Sequence, residues 1–349
     1  MVSLTNTEAP PRKRQEIQLG YVPLIDCAPI IVARETGLFE KHKLSVKTTQ
    51  QPGWATVREK LVHGELDASQ CLGPLALAIH HGIGTTPREM IVPLVLSANG
   101  NGITLSNNIP NEVFSEKGSF LEFLEQNYTK DNLLNLAAVH PCSSHHSLLL
   151  LWLKKNRMAN HPLINVISLP PETMLRSLAN GHIDGFCVGE PWNSVAIQSE
   201  IGWCASNSVE LSNGHPEKVL AATGTFAQSQ PEALQALTLA LLEACKFCQE
   251  KKNHPEILTY LAKEPGMDIL GDPLNYSLTG RLPSPNRQAA RAYPDFHIFY
   301  NREVNAPTSR ISSWLRDGVR LSGLLQKEQQ LPKDNIFRMD IFEEAQKQI

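Results

Sequence analysis

Gly181-His-Ile-Asp184-Gly-Phe-Cys-Val-Gly189 repeats in outline an earlier stretch, Gly64-Glu-Leu-Asp67-Ala-Ser-Gln-Cys71. Each has a glycine suited to closing a helix, then an aspartate, then a run of strand character. Reading backwards from both gives the same order of elements. Val57 to His63 reads as a helix stopped by Gly64, and Pro171 to Asn180 as one closed by Gly181. Before them come strand signals at Leu44–Thr49 and Asn165–Leu169, helices at Pro29–Gly37 and Ser147–Asn156, and opening strands at Ile17–Val22 and Leu134–Val139. Strands alternating with helices predict βαβ units and a mainly parallel sheet. Their recurrence predicts two similar α/β lobes with a ligand cleft between them.

The remaining segments complete the division. Residues 1–15 read as a disordered lead-in, 16–108 and 222–349 as lobe I, and 109–221 as lobe II. After residue 222 the chain turns helical over Pro231–Lys252, Pro255–Lys263 and Arg310–Leu325. Between the last two, Gly266 to Pro307 is rich in proline, aromatics and asparagine and reads as irregular.

With 349 residues, 42% of them hydrophobic and 19% charged, the composition is that of a globular chain. A net charge of −3 gives no electrostatic case for nucleic acid or an acidic membrane surface as direct partner. No apolar run approaches the roughly 20 residues of a membrane span. Seven scattered cysteines argue against a disulfide framework and suit a reducing compartment. Cys245 and Cys248 lie in a helical run without a redox βαβ context, so a packed helix face is their expected role. The proline-broken opening, Met1 to Arg14, has neither apolar core nor small-residue cleavage site, so a cytoplasmic location is expected.

Several segments in fixed order resemble the nitrate/bicarbonate-binding proteins of ABC transporters. They are Gly20-Tyr-Val-Pro-Leu-Ile-Asp-Cys-Ala-Pro29, Trp54-Ala-Thr-Val-Arg-Glu-Lys60, Leu66-Asp-Ala-Ser-Gln-Cys-Leu-Gly-Pro74, Asn99-Gly-Asn-Gly-Ile-Thr104, Gly189-Glu-Pro-Trp-Asn193 and His215-Pro-Glu-Lys218. The resemblance runs from Ile17 to about residue 320. It implies the two-lobed type II periplasmic-binding-protein fold, an α/β architecture with the ligand between lobes. Joined to the polar N-terminus, it points to the cytosolic NasS-type nitrate/nitrite sensors, which bind an antiterminator protein instead of a permease.

Nitrate is planar and singly charged, so its site needs converging donors, one fixed positive charge and exclusion of water. The resemblance implies a set of ligand-binding residues. Trp54 matches a ligand-contacting tryptophan whose indole is donor-only; a packed loop tryptophan is the other reading. His145 lies ahead of the helix expected from Ser147, with Ser143 and Ser144 as candidate N-caps, at the end of a helix that favours anions. The cluster His140, Cys142, His145 and His146 also contains metal-ligand types, but its spacing fits no standard zinc motif. Gly189 lets backbone approach a ligand, or simply ends a strand. Lys218 matches the position that is lysine in nitrate binders and glutamate in bicarbonate binders. Asn101 and Gln70 are amide candidates, although the transport receptors have a glutamine-type donor near Asn101.

These readings predict a nitrate- or nitrite-binding protein with neither cofactor nor metal. In the sensor reading, ligand binding between the lobes releases an ANTAR-type RNA-binding antiterminator, and nitrate-assimilation genes respond. A substrate-binding component of a nitrate ABC transporter is the alternative. Thiamine-pyrimidine synthases share the fold but carry a cysteine cluster, whereas the cysteines here are scattered. No G-x-S-x-G elbow or P-loop is present either, so no enzyme is expected.

Overall fold

The computed structural model describes residues 16–115, 119–268, 271–282, 291–325, 331–332 and 335–349. The expected lead-in at 1–15 lies outside the described residues, as do 269–270 and 283–290 of the stretch read as irregular.

Ten strands of the alternating pattern appear, in order: β1 (Ile17–Tyr21), β2 (Val46–Gln50), β3 (Ala68–Leu72), β4 (Met90–Asn99), β5 (Asn101–Ser106), β6 (Leu134–Ala138), β7 (Ile164–Ser168), β8 (Gly185–Gly189), β9 (Gly202–Asn207) and β10 (Pro216–Thr223). Two short strands, β11 (Arg281–Leu282) and β12 (Arg291–Ala292), pair with each other, and β13 (His297–Ile298) follows. One sheet has the order β13-β4-β10-β3-β1-β2 and the other β7-β6-β8-β5-β9. Three strands are parallel in each, β2-β1-β3 and β7-β6-β8, as the βαβ reading predicts. The remaining strands run antiparallel, so both sheets are mixed.

The repeated aspartates have a shared structural task. Asp67 Oδ2 accepts the backbone N–H of Gln18 at 2.8 Å while its own N–H donates to Gln18 O at 3.0 Å. Asp184 does the same to Asn135, at 2.7 and 2.8 Å. Each aspartate thus fixes the neighbouring parallel strand where pairing begins. Gly64 and Gly181, both with φ near +70°, end the preceding helices in the left-handed region that glycine adopts freely.

The lobe boundaries differ from those expected at 108/109 and 221/222. β5 already belongs to the second sheet and β10 already to the first, so the chain crosses at Asn99–Asn101 and between Asn207 and Pro216. Each crossing strand is inserted as the antiparallel neighbour of the three parallel ones. A hydrophobic strand pattern does not say which sheet the strand joins, so the pattern alone does not fix these boundaries. The two crossings are tied together. Asn99 Nδ2 donates to Asn213 Oδ1 at 3.0 Å, Gly214 N–H donates to Asn99 Oδ1 at 2.8 Å, and Asn99 N–H donates to His215 O at 3.2 Å.

Long helices cover the sheets. Pro231–Gln249 packs on Ala28–Glu35 and buries Cys245 and Cys248, so the CxxC sulfurs are core atoms. No helix among the described residues is long and apolar enough to cross a membrane.

His297 sits beside the first crossing, stacked on Phe299 with ring centres 5.5 Å apart and planes 8° apart. Neither ring nitrogen has a hydrogen-bond partner, and burial, aided by the Lys218 charge, pushes its pKa down to about 3. The unfolded chain therefore binds this proton from about pH 6.5 downward while the folded chain does not. Stability is lost on this account as pH falls, by roughly 1.4 kcal/mol per pH unit. His297→Gln removes the penalty. Between pH 6.5 and 5 the stability difference between variant and wild type should move about 2 kcal/mol in the variant's favour, measured by urea unfolding.

Candidate functional site

The turn after β1, the end of β3, the start of β10 and the first turn of the helix Ser144–Lys155 meet at one buried point. A bulge in β10 creates its centre. Pro216 pairs with Ala98 and Lys218 with Ser97, which leaves Glu217 as the extra residue against β4. Consecutive strand residues normally face opposite ways; the bulge breaks that alternation and brings Glu217 and Lys218 into contact. Both are fully buried.

The Lys218 ammonium is held by two carboxylates. It contacts Glu217 Oε1 and lies 2.7 Å from Asp26 Oδ2. Glu217 also accepts from Asn101 Nδ2 at 2.6 Å, and His145 Nε2 lies 3.1 Å from its Oε1, off the ideal hydrogen-bond line. Gln70 Nε2 donates to Asp26 Oδ1 at 2.6 Å, and Gln70 Oε1 accepts from Val22 N–H at 2.9 Å. Trp54 closes one side, with its ring centre 5.2 Å from Lys218 Nζ. On the far side of Glu217, His215 Nδ1 is 3.7 Å from Oε2, and its ring stacks on Trp314.

The acids titrate apart for a visible reason. Burial raises both, but Glu217 is faced by the Lys218 ammonium and by His145, and ends well below the usual carboxylate range. Asp26 is raised, because burial outweighs the Lys218 charge there. For Lys218, burial would lower the pKa, but the charges of Asp26 and Glu217 dominate and raise it. Burial lowers His145, and the Lys218 charge adds to this against the pull of Glu217. The Glu217 carboxylate and the Lys218 ammonium are thus held charged, and the His145 imidazole is held neutral.

All six residues singled out from the sequence come together here, with differences in what they offer. Trp54 is 2% exposed and its indole N–H has no partner. His145 is inside the helix rather than ahead of it: the helix starts at Ser144, and Ser143 Oγ caps it by accepting from His146 N–H at 3.0 Å. His145 Nδ1 is unpartnered. Gln70 differs from the expectation of a free amide donor, since both ends of its amide are used on Asp26 and Val22. Asn101 likewise spends its N–H on Glu217, leaving Oδ1 unpartnered. Gly189 borders the cluster: a Cβ there would stand 3.4 Å from Asn101 Oδ1 and 3.5 Å from Asp26 Oδ2, filling space beside both.

Asp26 and Glu217 were missed, although each had a signal. Asp26 is the sole charge between Ile17 and Ala33, in a stretch otherwise apolar or uncharged. Glu217 precedes the apolar run Val219-Leu-Ala-Ala222 of a strand. A lone acid in a buried element is paired or functional, because burying it unpaired is too costly. In the neighbouring His/Cys cluster, His140 Nδ1 accepts from Cys142 N–H at 3.0 Å. No group of three or more metal-ligand side chains is arranged to hold an ion among the described residues.

The chain is 35% identical over 340 residues to the nitrate import ATP-binding protein NrtC of Synechocystis sp., covering 94% of this chain and 49% of that protein. It is 36% identical over 253 residues to the bicarbonate transport ATP-binding protein CmpC of Synechococcus elongatus, covering 72% and 38%. The chain thus spans half or less of the length of these curated relatives. Its fold superposes on the crystal structure of the periplasmic nitrate-binding protein NrtA from Synechocystis PCC 6803 with a TM-score of 0.86 and 24% identity, covering 96% of this chain and 89% of that one. The two-lobed α/β architecture is therefore that of the periplasmic binding proteins. Residues 10–262 match the NMT1-like family along most of the two lobes, and the chain belongs to that family.

Proposed function

We propose that the chain binds nitrate or nitrite at the Lys218 cluster. One observation carries the reading: a fully buried ammonium lies 5.2 Å from the ring centre of Trp54, whose buried N–H has no partner. An ammonium has three donors. Asp26 and Glu217 use two, leaving the third for an oxygen of the anion. The indole N–H supplies a second donor, and the N-terminal end of Ser144–Lys155 adds its positive dipole end. Likeness to a nitrate import protein over 94% of the chain supports nitrate as the ligand.

The test is calorimetric titration with nitrate, nitrite and bicarbonate. Binding of nitrate or nitrite is expected, weakened about tenfold or more in Trp54→Phe, which keeps the ring and removes only the donor; a hydrogen bond to a charged group is worth roughly 1.5–3 kcal/mol. Absence of binding by either nitrogen oxyanion overturns the reading.

The same likeness supports use of the site as the substrate-binding component of an ABC importer. The sensor reading is narrower: a cytoplasmic protein that holds an ANTAR-type antiterminator when empty and releases it when loaded. Moving such a complex from almost fully bound to almost fully free requires about 5.5 kcal/mol of differential affinity. Co-elution of the purified pair decides it. A complex that persists at saturating nitrate and nitrite, or never forms, rules the sensor out.

A further inference from the structure

A neutral imidazole has one N–H and one lone pair. Nε2 lies 3.1 Å from Glu217 Oε1, a carboxylate held ionised, so the single N–H belongs there. Nδ1 then presents a lone pair into a fully buried site, with nothing to donate to it. An oxyanion has only lone pairs, so it is repelled by Nδ1 unless that atom acquires a proton. The charge count agrees. Glu217 and Lys218 cancel with His145 neutral, so a bound nitrate would leave the site, closed to water, with uncompensated negative charge.

We propose that the anion enters together with one proton, which is held on His145 Nδ1 and points at the bound anion. The ligand is then taken up as the equivalent of its acid: nitrate and a proton from solution go in, and the imidazolium bridges Glu217 and the anion. This rests on the anion-binding reading above. The groups facing His145 are Glu217 and Lys218 of β10, the neutral His215 just before that strand, and Asp26 from the turn after β1. Its helix neighbour His146 is half-buried and neutral, with its own pKa lowered by burial. Glu217 is thus the counter-charge that makes a buried imidazolium tolerable, and it explains an acid in a site for anions. Asp26 is a poorer proton carrier, since Gln70 and Lys218 occupy both its oxygens with donors.

The experiment is nitrate titration of the full chain between pH 6 and 8.5, in two non-sulfonate buffers of different ionisation enthalpy. Wild type should lose affinity tenfold per pH unit on the alkaline side and take up about one proton per nitrate. His145→Gln, neutral at every pH, should bind more weakly with a flat pH profile and no uptake. Nitrate binding in wild type without proton uptake overturns the proposal, whatever the variant does. Uptake that persists in His145→Gln overturns the assignment to His145. Failure of wild type to bind nitrate at any pH is a different result, and it overturns the anion-binding reading itself.

Discussion

Lys218→Met should destabilise the fold by about 3–5 kcal/mol and lower nitrate affinity at least 100-fold. The ammonium is the only cation touching Asp26 and Glu217 among the described residues, and all three are buried. Removing it leaves two carboxylates facing each other without water, the circumstance in which breaking a buried pair costs most. Binding loses its fixed charge as well, a change worth roughly 2–5 kcal/mol for a desolvated partner. The pH dependence separates this mechanism from lost packing. A carboxylate buried without its cation has a folded pKa above its unfolded value, so its penalty is present at neutral pH and fades as pH falls through the folded pKa. The wild-type ammonium stays charged throughout the range from pH 5 to 8. Urea unfolding should therefore show the gap between wild type and variant narrowing toward pH 5. A gap constant with pH would mean that methionine costs packing alone.

Gly100→Ala should cost about 2–6 kcal/mol. Gly100 has φ +87°, in the region where a Cβ is strained by roughly 1–3 kcal/mol. Its Cβ would also fall 2.5 Å from Nδ1 of His297 and closer still to Cε1, and overpacking of that kind adds roughly 1–3 kcal/mol. The ring cannot easily step aside, being stacked on Phe299 and set edge-on to Phe296. The two contributions separate in the double variant Gly100→Ala/His297→Ala. Removing the ring relieves the collision and not the backbone strain, so the double variant should lose less than the sum of the two single losses, by roughly 1–3 kcal/mol. Simple additivity would show that the ring moves aside at little cost.

Much of this molecule was legible because the relevant interactions are short in sequence. A helix stopped by Gly64 or Gly181 and an aspartate three residues later are local patterns, and they located both βαβ halves. Long-range placement was less legible. β5 and β10 look like ordinary strands, and nothing in their composition says that each inserts into the sheet of the other half. The site residues were found through aligned segments, which do not disclose whether an amide is free; Gln70 and Asn101 spend their N–H groups on Asp26 and Glu217. Glu217 itself went unread because strand alternation places it opposite Lys218, and only the bulge at Pro216–Lys218 puts the two in contact.

The tie between the two crossings has a mechanical meaning. Asn99 fastens the outgoing strand to Asn213, Gly214 and His215 of the returning one, so the two connections form a single fulcrum. Asn101, Glu217 and Lys218 stand within a few residues of it, while Trp54 and His145 reach in from the two arms. A swing of one sheet against the other would turn about this fulcrum, a short lever from the buried charges and a long one from the outer rims. A shift too small to disturb the buried charges would therefore be larger at the outer rims of the two sheets.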